Sequence, residues 1–100
     1  MAIATAREPT QVIFVGRKPL SSYLATVVPL VVSPDVKEIK IVARGRGISR
    51  AVDLALIIME RWFKGKLKLK NVDIGTTILK NPEGRIDRVS EIVITLEKTG

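Results

Sequence analysis

One hundred residues, 46% of them hydrophobic and 27% charged, fit one globular domain with a packed core. A domain this small buries only about 60–70% of the surface its unfolded chain exposes, so a second copy is a natural cover for leftover apolar area. Seventeen Lys and Arg against ten Asp and Glu leave a net charge of +7, which favours polyanionic partners, and the absence of Cys and His excludes disulfides, Cys/His zinc sites and every Cys or His nucleophile or base.

Residues 1–10 lack an apolar core and read as a flexible N-terminal arm, neither signal peptide nor anchor, with residues 11–100 as the single domain. Apolar runs elsewhere stop well short of the ~20 residues of a membrane span, so a soluble cytoplasmic protein without membrane attachment is expected. Residues 11–15 are a β-branched and aromatic run ending at Gly16, as in a buried strand. Pro19 suits the first turn of a helix, and Leu20, Leu24, Val27 and Val31 then line one of its faces. Pro29 within that pattern predicts a kink or an early end near Val28, and Ser33, Pro34 and Asp35 a turn.

Residues 36–44 alternate as a second strand, with Ile39, Ile41 and Ala43 on one face and Lys40, Val42 and Arg44 on the other. After Gly45 and Gly47, residues 48–63 take a helical period: Ile48, Val52, Ala55, Met59 and Trp62 form one stripe, and Leu54, Ile57 and Ile58 widen it. So apolar a helix needs cover on two sides, from the fold itself or from a second subunit. Leu54, Ile58, Trp62 and Phe63 are its candidate interface residues.

Gly65 stands where a left-handed residue ends a helix. In the third strand the inward phase set by Leu67 and Leu69 slips to Val72 and Ile74, which predicts a bulge near Lys70 and Asn71. Asn81, Pro82, Glu83 and Gly84 supply the turn of a long hairpin. Ile92, Ile94 and Leu96 give its second arm a buried face, whereas residues 76–88 are too polar for a core and should project into solvent. The expected fold is an α/β two-layer sandwich of order β-α-β-α-β-β. Its mixed four-stranded sheet carries two helices on one face, a parallel first pair of strands with a right-handed crossover, and a projecting antiparallel hairpin.

Three basic clusters sit where elements end. Gly16, Arg17, Lys18 and Pro19 precede a helix N-terminus, so backbone N–H groups and two cations converge on an anion-sized space. A solvated basic loop has the same composition, so this cluster alone does not decide. Arg44, Gly45, Arg46 and Gly47, followed by Ser49 and Arg50, combine close backbone approach with bidentate guanidinium forks. The chain lacks both the phosphate-loop and the dinucleotide glycine patterns, so no nucleotide cofactor is expected. Lys80, Asn81, Arg85 and Arg88 lie on the hairpin, a ribbon narrow enough for a minor groove, or merely a soluble charged arm.

Lys64, Lys66, Lys68 and Lys70 read as a solvated strand face with a background electrostatic role. The only aromatics are Phe14, Tyr23, Trp62 and Phe63, too few for an expected base-stacking surface. Asp53, Asp73, Asp87 and Glu91 are scattered rather than clustered for metal, so neither an enzyme nor a metal site is expected.

The stretches Val15-Gly16-Arg17-Lys18-Pro19-Leu20, Ala43-Arg44-Gly45-Arg46-Gly47-Ile48-Ser49-Arg50-Ala51-Val52-Asp53 and Arg88-Val89-Ser90 resemble, in order and spacing, the Alba family of archaeal chromatin proteins. The resemblance implies a homodimer that coats and compacts double-stranded DNA without marked sequence preference, is chromosome-associated and also binds RNA. It further implies dimer–dimer contacts along DNA, with Trp62 at the position of a family phenylalanine, and pairing with a paralogue as a heterodimer. Arg17 and Lys18, Arg44 and Arg46, and Arg85 and Arg88 take the family's DNA-facing positions. Arg17 occupies the place of a lysine whose acetylation weakens DNA binding in well-known members, which leaves Lys18 as the modification candidate. The rival reading is an RNA-binding subunit or chaperone-like module of an RNA-processing particle, which would use the same basic surface.

Overall fold

The computed structural model describes residues 8–99. Its elements are β1 (Thr10–Val15), α1 (Leu20–Val32), β2 (Glu38–Arg44), a 3₁₀ turn (Gly45–Gly47), α2 (Ile48–Ile57) continued by a π turn (Ile58–Trp62), β3 (Leu67–Lys80) and β4 (Ile86–Lys98). They form one sheet of strand order β1-β2-β4-β3. β1 runs parallel to β2, while β4 is antiparallel to both β2 and β3. The flexible arm expected over residues 1–10 lies, for residues 1–7, outside the described residues, and Thr10 already belongs to β1.

Alternation decides which sheet face the helices cover. Ile13 and Val15 on β1, Ile39, Ile41 and Ala43 on β2, and Ile92, Ile94 and Leu96 on β4 are all buried. They meet Leu24, Val27, Leu30 and Val31 of α1 and Ala51, Leu54 and Ala55 of α2 in one core. Each of the Val, Leu and Ile side chains contributes about 1.5–3 kcal/mol on leaving water. The phase slip of the third strand is a register shift between Leu69 and Asn71, and Gly65 has the left-handed φ of 81° foreseen for it.

Pro29 does not end α1 near Val28. The helix runs on to Val32, because Leu30 and Val31 beyond the proline are buried and their combined burial outweighs the ~3 kcal/mol an internal proline costs. The second helix also departs from a uniform period over residues 48–63. Its last turn widens, with the Phe63 N–H donating to the Ile58 carbonyl at 2.9 Å, so the side chains after Ile58 rotate away from the projected stripe.

Trp62 is consequently 51% exposed, whereas Phe63 packs against the core. The core-facing residues of α2 are Ala51, Leu54, Ala55 and, in the π turn, Ile58. Leu54 and Ile58 are fully buried within their own chain, so neither is available to a second subunit and that part of the expected interface is corrected. The exposed apolar strip is instead the adjoining one, Val52 and Leu56 of the helix beside Leu69 and Val72 of β3, with half-buried Met59 lining the same groove.

Candidate nucleic-acid interface

Parallel pairing of β1 and β2, with Val15 opposite Ala43, brings the C-terminal ends of both strands to the same edge of the sheet. The loops that follow therefore lie side by side, as at ligand-binding ends of α/β sheets generally. Arg17 from the first loop, Arg44 from the end of β2, Arg46 from the turn that follows it and Arg50 from α2 line one open cleft of about 570 Å³. β4 is antiparallel to β2, and their pairing ends at Arg44 opposite Glu91. Beyond that pair the hairpin continues as two unsupported strands past the same edge, five residues from Thr76 to Lys80, roughly 17 Å. The three basic clusters thus share one end of a molecule whose extents are 47 × 26 × 23 Å.

Two glycines make this edge compact. Gly45 has φ +53°, a left-handed conformation that glycine adopts without cost, and a Cβ there would meet Val89 Cγ1 at 3.3 Å, so the turn lies against the hairpin's base. At Gly47 a Cβ would stand 3.1 Å from the Val15 carbonyl oxygen, so glycine lets the 3₁₀ turn close onto the end of β1 without displacing it.

The first cluster is built differently from expectation. The Gly16 and Lys18 N–H groups donate to the Tyr23 hydroxyl at 2.8 and 3.2 Å, so these two amides serve loop structure and do not receive an anion. Tyr23 reaches back from the first turn of α1 to hold the loop, and Arg17 and Lys18 contribute through their exposed side chains. Arg50 donates to the Lys18 carbonyl, and its Nε is buried without a partner among the described residues. It braces one loop against the other while lining the cleft.

Arg44 pairs through Nε with Glu91 at 2.8 Å, and Glu91 also accepts from the Thr77 hydroxyl at 2.7 Å. These bonds, Thr77's first and Arg44's next, hold the Glu91 carboxyl below the usual carboxylate range. The pair uses one nitrogen of the guanidinium and leaves the fork's terminal nitrogens outside it. Arg46 is exposed on the 3₁₀ turn and forms no ion pair among the described residues.

On the hairpin, Asn81 organises the turn: its Oδ1 accepts from the Glu83 and Arg85 N–H groups at 3.0 and 2.8 Å. Lys80, Arg85 and Arg88 are exposed, but Glu83 and Asp87 share their arm, so the hairpin offers positioned cations on a nearly balanced ribbon. Lys68 and Lys70 are drawn into ion pairs with Glu97 and Glu38. Those pairs lie toward the opposite end of the sheet. Three residues the sequence did not single out for the site, Tyr23, Thr77 and Glu91, prove to organise it, and only three-dimensional proximity reveals them.

The family model described as Alba matches residues 11–76. A solved structure titled Alba from Thermoplasma volcanium is 37% identical, covers 86% of this chain and 98% of that chain, and superposes with a TM-score of 0.76. The chain belongs to the Alba family. A structure of ALBA1 from Trypanosoma brucei, 19% identical over 88% of this chain and 68% of that chain, shares the fold at a TM-score of 0.66. Alba membership brings nucleic-acid binding of an architectural, chromatin-associated kind, in a family that is generally non-enzymatic. The matched segment contains both loops of the arginine cleft and the first arm of the hairpin as far as Thr76. Among the described residues of this Alba-family chain no helix is long and apolar enough to cross a membrane.

Proposed function

We propose that this protein coats and compacts double-stranded DNA as a homodimer, gripping the phosphate backbone without reading sequence, and that it also binds RNA. The observation that carries the reading is the convergence of Arg17, Arg44 and Arg46 on one cleft at the sheet edge from which the hairpin projects. Phosphate contacts of this kind position a protein and do not name bases. Lys18 adds a cation beside the cleft and is the residue available for acetylation, which would remove that charge. Arg85 and Arg88, with Lys80, extend the grip toward a flanking minor groove, where Arg responds to negative potential rather than base identity.

Dimerisation through the uncovered strip of Val52, Leu56, Met59, Leu69 and Val72 doubles the cation set. Exposed Trp62, next to that helix strip, serves contacts between dimers along DNA, or with a paralogue. The expected setting is the cytoplasm, on the chromosome. A titration of one duplex, one scrambled duplex and one structured RNA tests the reading. Similar affinities for the two duplexes, with binding lost in the Arg44→Ala/Arg46→Ala double variant, are expected. Strong preference for one duplex sequence, or full binding by the double variant, would overturn it.

A further inference from the structure

The sheet face opposite the helices carries a large apolar side chain that nothing covers. Phe14 on edge strand β1 is 67% exposed, beside its register partner Val42, and Val12 two residues earlier is 45% exposed. Phe14 and Val42 line an open groove of about 620 Å³ whose other walls include Arg17, Lys18 and Arg44. Lys40 lies on the same face as Val42 and Arg44, four residues from Arg44 and so roughly 13 Å along the strand. The ring therefore stands between three cations at the strand ends and a fourth further down the face.

A bare aromatic on an edge strand is a liability in a soluble protein unless something lands on it. The cations around it indicate what that is. A second copy would set like charges against each other, whereas a nucleotide supplies a flat apolar base for the ring and phosphates for the cations on either side. An intact duplex keeps its bases inside the stack and cannot offer one to Phe14.

We propose that Phe14 is a stacking platform for an unpaired base, and that the groove it shares with Arg17, Lys18 and Arg44 binds single-stranded nucleic acid. The proposal rests on the phosphate-binding reading of the arginine loops, because the same cations hold the flanking phosphates. The binding surface is thereby divided: cations common to every nucleic acid, and one ring that only an unstacked base can use.

Fluorescence anisotropy with a labelled oligouridylate and a labelled DNA duplex tests it on the full chain. Phe14→Ala is expected to weaken oligouridylate binding about five- to a hundredfold, the loss typical of one stacked base, while changing duplex binding by less than about twofold. Phe14→Leu, which keeps apolar bulk without the π face, should behave like Phe14→Ala, and Phe14→Tyr should restore binding. Unchanged oligouridylate affinity in Phe14→Ala, full affinity in Phe14→Leu, or equal losses on both nucleic acids would each overturn the platform. In those cases the phosphate-binding reading survives if Arg46→Ala still weakens the duplex complex. Wild-type protein that binds neither probe would overturn both.

Discussion

Arg46 is the cleanest place to test the proposed grip on DNA. Arg44 is paired with Glu91 and Arg50 braces a loop, whereas Arg46 is exposed and forms no ion pair among the described residues, so Arg46→Ala removes a cation without disturbing the fold. If two copies of Arg17, Lys18, Arg44 and Arg46 engage phosphates, about eight contacts form, and log K falls against log salt with a slope near −7. Raising salt from about 50 to 200 mM then weakens binding by about 10⁴. The variant loses one contact per protomer, so its slope becomes shallower by about 1.8, and the ratio of wild-type to variant affinity shrinks about twelvefold across that range. Were a single protomer the binding unit, the slope would change by about 0.9 and the ratio by only about 3.5-fold. Anisotropy titrations of a labelled duplex at several salt concentrations give both lines. Parallel lines would mean that Arg46 makes no ionic contact and that the cleft does not face the backbone.

Glu91→Gln removes the carboxylate that competes with phosphate for Arg44, and duplex binding at low salt should tighten a few-fold; weaker binding would show that Glu91 instead holds Arg44 in its productive pose. Because their hydrogen-bonded partners lower the Glu38 and Glu91 carboxyls, the stability from their ion pairs is full above the ordinary carboxylate range. It is lost as pH falls through the lowered folded values, so Glu38→Gln should flatten the acid limb of a Tm-against-pH curve. Gly45→Ala forces a left-handed alanine and should cost roughly 1–2 kcal/mol, with Tm falling about 4–8 °C per kcal/mol, while Gly45→Asn recovers much of it; equal melting of Gly45→Ala and wild type would refute the strain. Leu56→Asp, on the uncovered strip, should shift sedimentation from dimer to monomer through the loss of about 1.5–3 kcal/mol per copy, and an unchanged sedimentation profile would move the interface elsewhere.

Much of the fold was legible because its signals are local. A period of two in residues 36–44 marks a strand whatever lies around it, a phase slip at Lys70 and Asn71 can only be a bulge, and Gly65 announces its own conformation. What failed were the places where tertiary packing overrides local rules. Pro29 is tolerated because Leu30 and Val31 are buried beyond it, a fact that depends on the sheet beneath them. The widened turn at Ile58–Trp62 has no sequence signature, and a uniform helical period carries the stripe straight through Trp62. On α2 both flanking stripes are apolar. Periodicity identifies two apolar faces, but only the position of the sheet tells that Leu54 and Ile58 go inward and Val52 and Leu56 stay out.

The site shows the same division one level up. Cations at element ends were visible as composition, since Arg and Lys flanking glycines stand out in any chain, and the parallel β1–β2 pairing that unites them follows from the order of elements. Their partners were not visible, because each is remote in sequence and ordinary in type. Glu91 is forty-seven residues from Arg44 and reads as one of several scattered acids, yet it pairs with one of the cleft's arginines. Tyr23 read as one more aromatic of a helix, yet its hydroxyl takes two loop amides that would otherwise have been assigned to an anion. Phe14 is the sharpest instance. In a β-branched strand ending at glycine it reads as core, and strand alternation fixes only that it opposes Ile13 and Val15, not which face is covered. Once the helices cover the face of Ile13 and Val15, Phe14 must lie on the other, among Val42, Arg44 and Lys40. One face of the sheet thus becomes core, and the other is left to combine an aromatic ring with charge at the edge where the arginine-bearing loops end.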